Sequence, residues 1–151
     1  MGLFNPKPRP KGKKGELGAE GELVIASELL RSGYLVWRPQ GNQRYDLVIE
    51  DAENCFWRIQ CKTGWLDQNG EILRFHTVSH HYHYRGGQYT QHYKRDYQGQ
   101  VDYFAVYSPD LNAVYLIPIS HCTAKEMSLR LTSATKNGQW KGVKYAADYI
   151  L

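Results

Sequence analysis

Between Trp57 and Lys62 apolar and polar residues alternate strictly, inside a longer strand candidate running from Cys55 to Thr63. In extended backbone this places Phe56, Arg58, Gln60 and Lys62 on one face and Trp57, Ile59 and Cys61 on the other. The segment before it, Tyr45 to Glu50, is also rich in β-branched residues and is separated from it by Asp51-Ala52-Glu53-Asn54, so the two are predicted to pair as neighbouring strands. A one-residue slip would turn every side chain to the opposite face. A register in which paired numbers sum to 106 sets Asp46 opposite Gln60, with Lys62 on the same face. That register requires a loop of three residues, Ala52 to Asn54, or of five, Asp51 to Cys55, unless a bulge intervenes.

The rest of the chain supplies a core around this pair. Leu17 to Arg31 reads as a helix stopped by Ser32-Gly33. Glu22 shares its apolar stripe with Ile25, Ala26 and Leu29, and a carboxylate there needs a partner: a catalytic ion or a buried arginine. Leu23 and Leu30 fall on the opposite side, which suits burial against another subunit. Further strands are expected at Tyr34 to Arg38, Tyr103 to Ser108 and Ala113 to Pro118, the last two joined by Pro109-Asp110-Leu111-Asn112. Residues 124–131 are read as a short helix. Residues 67–100 hold five of the six histidines and are expected to form a small ribbon near 71–78 followed by a long irregular excursion. The expected fold class is α/β, a mixed β-sheet with flanking helices.

The 151 residues suffice for one domain with a real core. It is expected to span 15–151, behind a basic, proline-rich arm at 1–14 that carries Lys7, Arg9, Lys11, Lys13 and Lys14 and no acid. The net charge is +4, and its uneven placement points to a polyanionic partner. Cys55, Cys61 and Cys122 are odd in number and lack metal-ligand spacing, and no apolar run is long enough to span a bilayer, so a soluble cytoplasmic protein without a membrane partner is expected. Cys61 faces inward with Trp57 and Ile59, as a small apolar filler. The four tryptophans, Trp37, Trp57, Trp65 and Trp140, are read as core or interface anchors. His80-His81-x-His83 lacks a matching acid or cysteine for a zinc site.

Hydrolysis of a phosphodiester requires relief of phosphate charge, an activated water and a protonated leaving oxygen, and a hard divalent ion held by oxygens supplies the first two. Asp46 is the first candidate ligand. Gln60 offers an amide oxygen, the Cys61 main chain a carbonyl, and Glu22 a second carboxylate. Lys62 beside the ion would orient or activate water, or stabilise charge on the phosphate. In the 74–97 segment Arg74, Arg85, Lys94 and Arg95 can neutralise phosphates, while His83, Gln88 and Gln91 can reach base edges.

At these residues the chain resembles the PD-(D/E)xK nuclease superfamily, and more narrowly the small intron-encoded homing endonucleases that use its restriction-endonuclease-like core. Gly15 through Gly33 with Glu22 resembles the family's opening helix, Tyr45-Asp46 its Pro-Asp position, and Gln60-Cys61-Lys62-Thr63 its acidic-x-Lys strand. The similarity continues through Asp102 to Tyr107, Val114 to Pro118, Leu129-Arg130-Leu131 and Asn137-Gly138-Gln139. Tyr45 stands in place of proline and Gln60 in place of an acid, the second bearing on metal affinity and rate. The resemblance implies an endonuclease using Mg²⁺ (or Mn²⁺) that cuts both strands of double-stranded DNA, with Glu22, Asp46, Gln60 and Lys62 catalytic, acting as a homodimer or homotetramer on a roughly symmetric site. A Holliday-junction resolvase or repair nuclease of the same fold, and a non-catalytic DNA-binding module, are the alternatives.

Overall fold

The computed structural model describes residues 14–122, 125–132 and 142–151. One helix, α1 (Lys14–Arg31), opens the described chain, three residues earlier than the sequence suggests. It ends where expected: Gly33 adopts φ +93°, and the Tyr34 N–H closes on the Leu29 carbonyl at 3.1 Å. Of the basic arm, residues 1–13 lie outside the described residues, as does Trp140.

The central sheet has five strands in the order β1 (Leu35–Trp37), β2 (Leu47–Glu50), β3 (Phe56–Thr63), β8 (Tyr103–Ser108) and β9 (Ala113–Pro118). β2 and β3 pair antiparallel with Leu47 opposite Ile59 and Glu50 opposite Phe56, which is the register summing to 106. The five-residue connection from Asp51 to Cys55 closes through Asp51 N–H to Cys55 O at 3.0 Å, with the Asp51 carboxylate accepting from the Glu53 and Cys55 N–H groups and from Trp57 Nε1. Asn54 takes φ +60°, a left-handed position that asparagine tolerates. β3 and β8 are parallel, with Gln60 beside Phe104 and Lys62 beside Val106, so the sheet is mixed.

Each face of the sheet carries its own core. Ile25 and Leu29 of α1 pack on Leu47, Ile49, Ile59 and Ala105. The opposite face, including Phe104, Val106 and Ile117, is covered by a small second sheet, β4 (Trp65–Leu66), β5 (Ile72–His76) and β10 (Glu126–Arg130), through Leu73, Phe75, Met127 and Leu129. α1 is the one α-helix among the described residues, so a sheet takes the place of the second helical layer. Gly64 makes the close approach possible: a Cβ there would lie 2.8 Å from Leu73 Cδ1 and 3.0 Å from Val106 Cγ1. No described helix is long and apolar enough to cross a membrane.

Two expectations are corrected. Residues 126–130 are strand β10, because Met127 and Leu129 are buried at period two and pair with Phe75 and Leu73 of β5, an alternation that outweighs helix propensity. The segment after residue 78 is no irregular excursion; it is a long two-stranded ribbon, β6 (Ser79–Arg85) and β7 (Gln88–Arg95). Gly86 (φ +60°) and Gly87 (φ +80°) form its two-residue turn, the geometry that matches strand twist and that glycine favours.

Candidate active site

Asp46 stands one residue before β2, its N–H bonded to the Ile59 carbonyl at 2.9 Å. Its Oδ2 accepts from Gln60 Nε2 at 2.5 Å and from the Cys61 main-chain N–H at 2.8 Å. The hairpin register therefore brings Asp46, Gln60 and Lys62 together as the sequence suggested. α1 closes the cleft from the other side: Gly18, Gly21, Glu22 and Ile25 face Asp46, Gln60, Lys62 and Thr63 around a cavity of about 170 Å³. Gly21 sits close to the strands, where a Cβ would lie 3.4 Å from Thr63 Oγ1.

The electrostatics are those of a crowded anionic pocket. Burial raises the Asp46 pKa, against the lowering effect of the Cys61 N–H, Lys62, Arg38 and Gln60. Glu22 is also raised, first by burial and then by Asp46, while Arg38 opposes. Arg38, just past β1, approaches Glu22 at 3.8 Å; with its side chain about half exposed, it is not the buried arginine considered for Glu22. Burial pushes Lys62 down to about 8, with Arg44 adding to the fall and Asp46 opposing it. Lys62 Nζ lies 3.3 Å from Tyr97 Oη and 3.4 Å from the Val78 carbonyl, over the Tyr97 ring at 4.7 Å. The Cys61 thiol is pushed well above its usual range by burial, which makes it inert filler.

Among the described residues no cluster of three or more His, Cys, Asp and Glu could hold a metal ion. The donors at the cleft are instead two carboxylates, Asp46 and Glu22, with the Gln60 amide oxygen and the Cys61 carbonyl to complete an all-oxygen set. Such a set fits a hard divalent ion, and two carboxylates held in raised-pKa form are what such a cation would relieve. The His80-His81-x-His83 run lies on β6, where consecutive side chains alternate between faces. His80 stacks on His92 at 5.2 Å, and His81 on Tyr93 at 5.1 Å.

The ribbon rises from the rim of this cleft. Its register pairs His83 with Gln91 and Arg85 with Gln88, so these four share one face, and strand alternation adds Arg95; Lys94 lies on the other face, opposite His80. Arg85, Gln88, Gln91, Lys94 and Arg95 are exposed. Arg74 is placed differently: on β5 it pairs with Glu126 of β10 at 3.2 Å, away from the ribbon. Two residues near the site were not among the sequence candidates. Arg44 donates to Gln100 Oε1 at 2.7 Å, Ser79 Oγ at 2.9 Å and the Asp96 carbonyl at 2.7 Å, and its guanidinium covers the Tyr97 ring at 4.1 Å. Arg44 lies two residues before Asp46, so the same alternation could have pointed to it; for Tyr97 the sequence carries no comparable signal.

A mixed sheet, one capping helix and a carboxylate, amide and lysine at the ends of β2 and β3 are the arrangement of a nuclease of the restriction-endonuclease-like class. Residues 13–151 match the PD-(D/E)XK endonuclease family, and the chain belongs to it. Among solved structures, the bacterial homing endonuclease I-Ssp6803I matches with a TM-score of 0.70 and 19% identity, over 92% of this chain and 89% of that one, a likeness of fold. No curated protein matches the sequence significantly.

Proposed function

We propose that the protein is a sequence-specific homing-type endonuclease that hydrolyses both strands of duplex DNA with Mg²⁺ (or Mn²⁺). The observation that carries this reading is the convergence of Glu22, Asp46, Gln60 and Lys62 on one cleft at the foot of an exposed, basic ribbon. Asp46, Glu22, Gln60 and the Cys61 carbonyl would hold the ion, which when bound supplies charge relief on the phosphate and an acidified water. Lys62, poised near pH 8, can hold a proton toward the phosphate or exchange one with water at the cleft. Phe104 and Tyr97 wall it from bulk solvent on the β8 side.

A two-stranded ribbon fits the major groove, and strands of seven and eight residues reach roughly 25 Å along it. Stacked rings on both faces stiffen the ribbon, so less ordering remains to be done on binding. Leu23 (64% exposed) and Leu30 (56%) lie on the outer side of α1, which supports assembly as a homodimer or homotetramer. Three free thiols suit a reducing cytoplasm. The test is selection of cleaved molecules from random duplexes in Mg²⁺ beside the Lys62→Ala protein. Enrichment of one sequence by the native chain alone is expected. Preferential cutting of branched DNA would move the protein to the resolvases, and no cutting at all would leave a DNA-binding module.

A further inference from the structure

Tyr97 occupies a position that the chemistry above does not explain. It lies just past β7, after Asp96, at the root of the ribbon, and only 5% of it is exposed. One face of its ring is covered by the Arg44 guanidinium at 4.1 Å, and Lys62 Nζ lies 4.7 Å from the ring centroid and 3.3 Å from its hydroxyl. Arg44 in turn grips both strands of the ribbon where they leave the core, through Ser79 Oγ at the start of β6 and the Asp96 carbonyl after β7. The second contact of Lys62 Nζ, the Val78 carbonyl, is also at that root. Thus both of these hydrogen-bond partners of the lysine ammonium belong to the ribbon's base, whereas Asp46 and Gln60 belong to the central sheet.

A ring approached by two cations is oriented by both, because each is attracted to the negative face of the π-system and a buried hydroxyl needs a hydrogen-bond partner. The arrangement fixes a long, rotamer-rich lysine that burial would otherwise expel toward solvent. Since the reaction is sensitive to placement at the ångström scale, fixing it has a kinetic consequence. We propose that Tyr97, clamped by Arg44, is a positioning residue that holds the Lys62 side chain at the cleavage site and ties it to the root of the ribbon. This rests on the nuclease reading for its effect on rate, but the contact itself can be tested without DNA.

The experiment uses the full chain with Tyr97→Phe, which keeps the ring and removes the hydroxyl. The ¹³C relaxation of the Lys62 Cε group, measured without DNA or metal, should show a side chain that is ordered in the native protein and more mobile in the variant. In cleavage of the selected duplex with Mg²⁺, Tyr97→Phe should lower kcat about tenfold with KM unchanged. Added to Lys62→Met, it should lower the residual rate no further. Arg44→Gln, which removes the plate on the ring, should give a smaller loss of the same kind. Unchanged Lys62 mobility, or an equal loss in the Lys62→Met background, would overturn the proposal. A native protein that does not cut DNA would defeat the nuclease reading while the relaxation data still decide the contact.

Discussion

The side-chain amide of Gln60 donates to Asp46 Oδ2, the same oxygen that takes the Cys61 N–H. The amide therefore offsets a carboxylate that burial disfavours, in the position where an acid stands in the family's motif. Gln60→Glu replaces this donor by a second carboxylate. At pH 8 in EDTA the variant should melt several degrees below the native protein, and excess Mg²⁺ should restore it, with DNA cleavage retained or raised. At pH 5 the deficit should shrink as one proton is shared between the two acids. Thermal unfolding across these conditions is the measurement, and equal midpoints in EDTA at pH 8 would count against the pairing.

Asp46→Asn keeps an acceptor for the Cys61 N–H but removes the charge, and Lys62→Ala removes the ammonium. Both should lower cleavage by about 100-fold or more, the scale associated with loss of a group that moves or stabilises a proton or charge in the transition state. Duplex affinity should stay within about twofold, since neither residue lies on the ribbon. Parallel gel-shift and nicking assays separate the two effects; a matched fall in binding would mean that these residues hold DNA and do not act on it.

What the sequence made legible was the local alternation, and what it hid was contact at a distance. The β2–β3 register follows from period-two patterning around Asp46 and Gln60, and the end of α1 from Gly33. In 124–131 the stretch is too short for period to decide between strand and helix; for 126–130 β5, some fifty residues earlier, decides it by offering Leu73 and Phe75. The ribbon is hidden in the sequence although Gly86-Gly87 marks its turn, because the histidines and tyrosines on both faces show no apolar alternation. Its order comes from ring stacking across the strands. Tyr97 meets Lys62 across thirty-five positions, and composition says nothing of that.

Lys62 should cost the fold stability. Its folded pKa of about 8 lies below the ordinary 10.5, so between those values the unfolded chain binds more protons and stability gained at this residue rises with pH. Below pH 8 both states are protonated and the full penalty of holding a buried ammonium applies. Lys62→Met, similar in length and uncharged, should stabilise the protein at pH 7 by about 1–2 kcal/mol while lowering cleavage about 100-fold to a small residual rate, and the gain should fade toward pH 10.5. Chemical denaturation at pH 7 and pH 10 checks both sign and window. A variant less stable than the native chain at pH 7 would mean that the Tyr97 and Val78 contacts outweigh burial.

Arg85 and Arg74 were both candidate phosphate contacts, and the structure separates them. Arg85 is exposed near the tip of the ribbon, on the face shared with Gln88 and Gln91, whereas Arg74 is paired with Glu126 between β5 and β10, its Nε buried without a partner. Arg85→Ala should weaken duplex binding and reduce the slope of log affinity against log salt by about one, as expected for one lost phosphate contact. Arg74→Ala should leave that slope unchanged and lower stability by about 0.5 kcal/mol, since the pair is partly solvated. Fluorescence-anisotropy titrations between 50 and about 200 mM salt distinguish the two. A reduced slope for Arg74→Ala would place DNA across the small second sheet and not along the ribbon.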